Sequence, residues 1–265
     1  MPTSGVDVVS ALARLRVLAH RSGLPCDDPV VLRNGSNLLV HLRPAPVVAR
    51  VAAVTAAVRP DVAGHFRRAD AVSRFLAARG VPVVEPVGPG VVRHDGLVVA
   101  FARHVPHEPG ALLDPASFAA ALAELHGELR HYPGALPERW PPADLAHVFE
   151  VLSRPAEPVG ALERLVARWP STPVQALHGD AHPRNLLVTA SGPVWNDFED
   201  TWRGPVGWDV ACANLSPSSA GALPLGAPDL EFWTDLRRLF AVGWSRVLDL
   251  RRGTIGAGAG AAVEG

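Results

Sequence analysis

The 265 residues suffice for one large or two modest domains with a buried core, and 48% apolar with 19% charged residues excludes a disordered or collagen-like chain. A formal net charge of -1 excludes the basic excess that a nucleic-acid partner calls for. Two cysteines, Cys26 and Cys212, exclude a disulfide framework or thiolate metal site, and no run of about 18 apolar residues occurs, so neither export nor a membrane partner is expected and the expected location is the cytoplasm.

In chain order, Val9, Leu12, Leu15 and Ala19 recur at helical spacing within Val6 to His20, and Ser22-Gly23-Leu24-Pro25 ends that helix. Strand-like runs follow at Val30 to Leu32, Leu38 to Leu42 and Val47 to Val51, the first two joined by the turn former Asn34-Gly35-Ser36-Asn37. Phe66, Val72, Phe75 and Leu76 share one face of a helix over His65 to Arg79, closed by Gly80 and Pro82. Two further strands are predicted at Val87 to Val92 and Leu97 to Phe101, separated by His94-Asp95-Gly96.

Beyond a Pro- and Gly-rich loop the pattern turns helical. Asp114 caps and Pro115 opens a helix carrying Phe118, Leu122, Leu125 and Leu129 on one face. Further helices are predicted over Val159 to Trp169 and Asp229 to Leu250, with short strands at Val174 to Leu177, Leu186 to Val188 and Val194 to Trp195 between them. The expected organisation is an α+β chain: a sheet-bearing part over residues 1–103, a mainly helical part over 104–252, and a disordered Gly- and Ala-rich tail over 253–265.

The densest polar cluster is His178-Gly179-Asp180-Ala181-His182-Pro183-Arg184-Asn185, followed by Asn196-Asp197-Phe198-Glu199-Asp200. An Asp, an Asn five residues later ahead of one apolar strand, and an Asp after a second strand can converge three oxygen-bearing side chains on one point. Such a point suits a hard cation. A zinc hydrolase is the rival reading of His178, Asp180 and His182, but no histidine follows His182 to complete a ligand set.

This pattern, HGDxHxxN followed by DFED, resembles the aminoglycoside phosphotransferase family, the small-molecule branch of the protein-kinase-like fold. The resemblance extends to Gly35-Ser36-Asn37, the strand Val47 to Val51, Arg79 to Val83, and Arg203 to Asp209. It implies a two-lobed fold with an antiparallel five-stranded sheet and one helix in the N-terminal lobe. It also implies transfer of a γ-phosphate from ATP or GTP to a hydroxyl of a small molecule, an aminoglycoside or related metabolite being the first candidates.

On that resemblance Asp180 meets the acceptor hydroxyl, while Asn185 and Asp197 ligate Mg2+ on the nucleotide. Gly35, Ser36 and Asn37 offer backbone donors to phosphate, and Ala102 and His104 stand where the purine would bind. His178, His182 and Asp209 are assigned supporting roles, and Glu199 is open to either metal assistance or a solvated position.

Two departures from the pattern bear on activity. All 25 basic residues are arginine, so the strand position that holds a lysine in protein kinases is Arg50, and the helix position of its orienting glutamate is Ala69, beside Asp70. A nucleotide-binding pseudoenzyme is therefore the alternative function. The acids offered to a polycationic acceptor are Asp144, Glu150, Glu157, Asp229, Glu231 and Asp235.

Overall fold

Period-two alternation in the first hundred residues builds one sheet with a different cluster on each face. The computed structural model describes residues 7–216 and 225–259. Strands β1 (Asp28–Asn34), β2 (Asn37–Arg43), β3 (Val47–Ala52), β4 (Val92–His94) and β5 (Leu97–Arg103) form an antiparallel sheet in the order β1-β2-β3-β5-β4. Leu97, Val99 and Phe101 of β5 face the first helix, α1 (Val8–Arg21), with Leu38, Val40, Val47, Ala49 and Val51. Val98 and Ala100, offset by one residue, point the other way onto Phe66 and Val62.

Asp7 caps α1 by accepting from Ser10 N at 2.9 Å, and the helix buries Ala11, Leu15, Leu18 and Ala19 on the sheet. The predicted β1-β2 turn is present, with Gly35 N donating to Asn37 O at 3.0 Å. The strand expected over Val87 to Val92 is broken: the continuous ladder with β5 runs over Val92–His94, and upstream Pro86 forms an isolated bridge to Ala102 while Val87 N donates to Phe101 O at 3.0 Å. Pro86 and Pro89 lack the amide hydrogen a ladder needs, and Gly88 and Gly90 adopt φ of 69° and 75°, outside the strand region.

A short helix, α2 (Val54–Val58), follows β3, and α3 (Val62–Ala78) begins three residues before its predicted start because Asp61 caps it through Gly64 N at 2.9 Å. The face carrying Val72 and Leu76 packs on Phe118, Leu122 and Leu125 of α4 (Pro115–Leu129) and on Trp195, so α3 ties the sheet to the helical part. Trp195 N donates to Pro82 O and Val84 N to Trp195 O, a second tie.

The helical part continues with α5 (Trp140–Val151) and α6 (Ala156–Ala167). Sequence periodicity assigned no helix over α5, whose first turn carries Pro141 and Pro142, where proline is tolerated. Strand β6 (Gln175–Ala176) pairs with β9 (Arg203–Gly204), and β7 (Leu186–Thr189) with β8 (Gly192–Trp195). Helix α7 (Gly207–Leu215) and the long α8 (Leu230–Ala259) pack with α5 and α6 around Trp202, Trp208, Trp233, Leu236 and Phe240. The helix of α8 runs through Gly253 to Ala259, where a disordered tail was expected; no proline interrupts its hydrogen-bond ladder. Residues 260–265 of that expected tail lie outside the described residues.

Candidate active site

The loop after β6 is fixed before any functional group is considered. Both oxygens of buried Asp209, in the first turn of α7, accept from it: Oδ2 from His178 N and Oδ1 from Gly179 N, each at 2.9 Å. His126 Nε2 lies 2.9 Å from the same Oδ2. Trp208 Nε1 donates to Gly179 O at 2.6 Å, and Thr201 Oγ1 to Leu177 O at 2.7 Å. Gly179 has φ +91°, and a Cβ there would sit 1.8 Å from Asp200 O, so the loop closes only around glycine. The His178 ring is buried against Phe198 and Trp195, its Nε2 2.9 Å from Asn196 O, and burial lowers its pKa. His178 and Asp209 thus act as scaffold.

Asp180 is delivered by that scaffold with its carboxylate toward α8. Arg237 Nη2 donates to Oδ1 at 2.9 Å, and His182 Nε2 lies 3.4 Å from Oδ2. Burial raises the carboxyl pKa, but the His182 contact and the Arg237 charge outweigh it and hold Asp180 well below the usual carboxylate range. Asp180 is therefore ionised at neutral pH.

Asn185 ends a one-turn 3-10 helix, Pro183–Asn185, and donates Nδ2 to Asp180 O at 2.9 Å. Asp197 follows β8 in the left-handed conformation, φ 69°, and Arg50 Nη1 bonds its Oδ1. Asp180, Asn185 and Asp197 line one cavity of about 190 Å3 with Ser36, His182, Glu199, Asp200 and Arg237. A second cavity, lined by Arg50, Phe66, Ala69, Asp70, Val84, Ala100 and Ala102, meets the first at Asp197 and Glu199.

The cation on β3 is oriented from an unexpected direction. Arg50 Nη1 donates to Glu199 Oε2 at 2.8 Å as well as to Asp197, so two acids of the turn after β8 hold it rather than an acid of α3. Asn37 Nδ2 donates to the same Glu199 oxygen at 2.7 Å, and Thr55 Oγ1 to Asn37 Oδ1 at 2.5 Å. Asp70 lines the second cavity without an ion pair to Arg50, and burial pushes its pKa up to about 6.

Of the other expected nucleotide contacts, Ser36 lines the first cavity and Ala102 the second, whereas Gly35 and His104 line neither. The Asn37 side chain is spent on Glu199. His104 donates its backbone N–H to Pro46 O at 2.8 Å and stacks its ring on His41 at 3.8 Å, which commits both groups to the sheet.

Sequence reading missed Arg59, Thr55, Trp244 and Arg237. Arg59 is buried with Asp144 at 2.8 Å, Asp200 at 2.9 Å and Glu199 at 3.5 Å, under the Trp244 ring. Burial and the Arg59 charge keep His65 neutral, its pKa pushed down to about 3, so its Nδ1 donates to Glu199 O at 3.0 Å. Nothing in the linear pattern separates Arg59 or Arg237 from the exposed arginines. Position alone was a weak signal: Arg237 continues the one helical face that carries Phe240 and Trp244.

A divalent cation fits the donor set. Asn185 Oδ1 and Asp197 Oδ2 face no protein donor among the described residues, and a carboxylate with an amide oxygen suits a hard cation that completes its shell with phosphate and water. Among the described residues no group of three His, Cys, Asp or Glu could hold a metal, and the His178 ring is committed to Asn196 O, which removes the ligand set of a zinc hydrolase.

A family model described as a phosphotransferase enzyme family matches residues 35–227. No curated protein sequence matches the chain. Among solved structures, an amicoumacin kinase in complex with AMP-PNP, Ca2+ and its ligand superposes with a TM-score of 0.59 at 12% identity, covering 91% of this chain and 80% of that one. A type VIII aminoglycoside-3'-phosphotransferase gives a TM-score of 0.58 at 20% identity over 91% of this chain and 96% of that chain. A choline/ethanolamine kinase family protein from Mesorhizobium loti gives 0.51 at 19% identity over 97% and 88%. At these identities the likeness is one of fold.

Proposed function

The chain belongs to the phosphotransferase enzyme family, and we propose that it moves the γ-phosphoryl group of a nucleoside triphosphate such as ATP to a hydroxyl of a small molecule. The observation that carries this reading is the convergence of Asp180, Asn185 and Asp197 on one cavity, with Arg50 bonded to Asp197 at its inner edge. In the proposed geometry the nucleotide base enters the second cavity beside Val84, Ala100 and Ala102, and its phosphates run past Arg50 and Ser36 toward Asp197.

Asp180 accepts a hydrogen bond from the acceptor hydroxyl and aims its oxygen at the γ-phosphorus. The new O–P bond forms as the bond from phosphorus to the bridging oxygen breaks, that electron pair leaving on the nucleoside diphosphate and the hydroxyl proton passing to Asp180. Because Asp180 is a weak base, its main work is orientation, with proton capture late in a loose transition state. Asn185 and Asp197 would hold Mg2+, which when bound neutralises charge on the phosphates. Arg50 keeps a full charge at every accessible pH and forks naturally onto phosphate oxygens.

The alternative, a nucleotide binder without transfer, rested on the missing lysine and helix glutamate. The Arg50–Glu199 ion pair supports an oriented cation all the same, and so favours the enzyme. Nucleotide affinity measured with and without Mg2+, then turnover against a broad panel of hydroxylated molecules, tests the proposal. Magnesium-dependent binding with phosphoryl transfer is expected; tight binding with no transfer to any alcohol would leave only the binder.

A further inference from the structure

One face of α8 forms a wall of the cavity that holds Asp180. Arg237, Phe240, Trp244 and Leu248 all line it, and steps of three and four residues keep them on a single helix face. Arg237 lies at the Asp180 end, and the other three continue from it as an apolar surface.

Each carboxylate lining this cavity already faces a cation. Asp180 has Arg237, Asp197 has Arg50, Glu199 has Arg50 and Arg59, and Asp200 has Arg59. Arg33 also lines the cavity, exposed and paired with no acid among the described residues. The acids a polycation would need lie elsewhere: Asp144 is buried under Arg59 and Trp244 Nε1, Glu150 holds Arg154, and Asp235 faces Arg168 and Arg238. Glu157, Asp229 and Glu231 do not line the cavity.

Resting on the phosphotransferase reading of this site, we propose that the acceptor is a hydroxylated molecule with an apolar or aromatic body and an anionic group, and not a polyamine. Its hydroxyl meets Asp180, its body lies along Phe240, Trp244 and Leu248, and its anionic group takes free donors of the Arg237 guanidinium. Arginine carries five N–H donors in a fork, enough for Asp180 and a second anion together. An ammonium group in the same place would meet Arg237 and Arg33 and no uncompensated carboxylate.

Two probes of matched shape that carry both polar groups on one side of the ring, meta-hydroxymethylbenzoate and meta-hydroxymethylbenzylamine, with kanamycin as a polycation, separate the possibilities. Binding is measured by calorimetry on the full chain saturated with magnesium and AMP-PNP. The benzoate is expected to bind at least about tenfold more tightly than the benzylamine, with kanamycin weaker still. Arg237→Gln should shrink the acid-to-amine ratio to below about threefold, and Arg237→Lys, which keeps the charge, should retain most of it. Equal or reversed affinities, a ratio unmoved in Arg237→Gln, or no binding of the benzoate overturn the acceptor class. Absence of magnesium-dependent AMP-PNP binding in the same titrations would instead overturn the phosphotransferase reading beneath it.

Discussion

Glu199 Oε2 lies 2.8 Å from Arg50 Nη1, so the acid that orients the β3 cation follows Asp197 by two residues instead of projecting from α3, where the corresponding position is Ala69. The same carboxylate accepts from Asn37 and reaches Arg59, and so joins the sheet, α2 and the turn after β8 at one buried point. Burial and nearby Asp197 raise its pKa while Arg50 and Arg59 oppose them, which makes its ionised form depend on both cations.

Glu199→Gln should therefore damage nucleotide affinity and folding together. Loss of the carboxylate leaves Arg50 and Arg59 short of a partner, at a cost of about 1–3 kcal/mol. The expected result is a KM for ATP raised about tenfold with a lowered urea midpoint. An unchanged KM in a folded variant would remove Glu199 from the orienting role.

Asp180→Asn retains the shape of the side chain and a hydrogen-bond acceptor but cannot take a proton. A kcat reduced by about 100-fold or more, with nucleotide Kd within about threefold of the parent, is the expected outcome in stopped assays and titration calorimetry. Asp197→Ala should do the reverse, abolishing the gain in nucleotide affinity that Mg2+ confers.

Gly179→Ala tests the loop scaffold. The substituted carbon would collide with Asp200 O at 1.8 Å and the residue would still need φ +91°, so no side-chain adjustment relieves the clash. A destabilisation above about 3 kcal/mol, read by urea unfolding, is expected along with loss of transfer.

Asp70 carries a pH dependence of defined sign. Its folded pKa of about 6 lies above the ordinary value because burial disfavours the charge. Below pH ~4 both folded and unfolded forms are protonated and Asp70 costs nothing. As pH rises from ~4 to about 6 the unfolded chain ionises first, so stability falls, and above about 6 the penalty is constant. Asp70→Asn should accordingly stabilise the protein at pH 7.5 by at most on the order of 1 kcal/mol, since solvent screens this partly exposed group, and make no difference near pH 3.5, which thermal melts at the two pH values resolve.

What the sequence determined by itself was local. Alternation in β2, β3 and β5, the cap at Asp114, and the spacing of Asp180, Asn185 and Asp197 are set by backbone geometry over a few residues, and that geometry is written in the order of side chains. Sequence periodicity erred where prolines spoke ambiguously: Pro141 opened a helix, while Pro86 and Pro89 shortened a strand. Tertiary structure alone singled out Arg59 and Arg237 among 25 arginines and gave Arg50 its acidic partners. Arg50 meets Glu199 across 149 residues and Arg237 meets Asp180 across 57, pairings that depend on how α8, the sheet and the loops after β6 and β8 pack. A guanidinium carries no local signal of its partner, because charge acts through space and only the packed core fixes which charges share it.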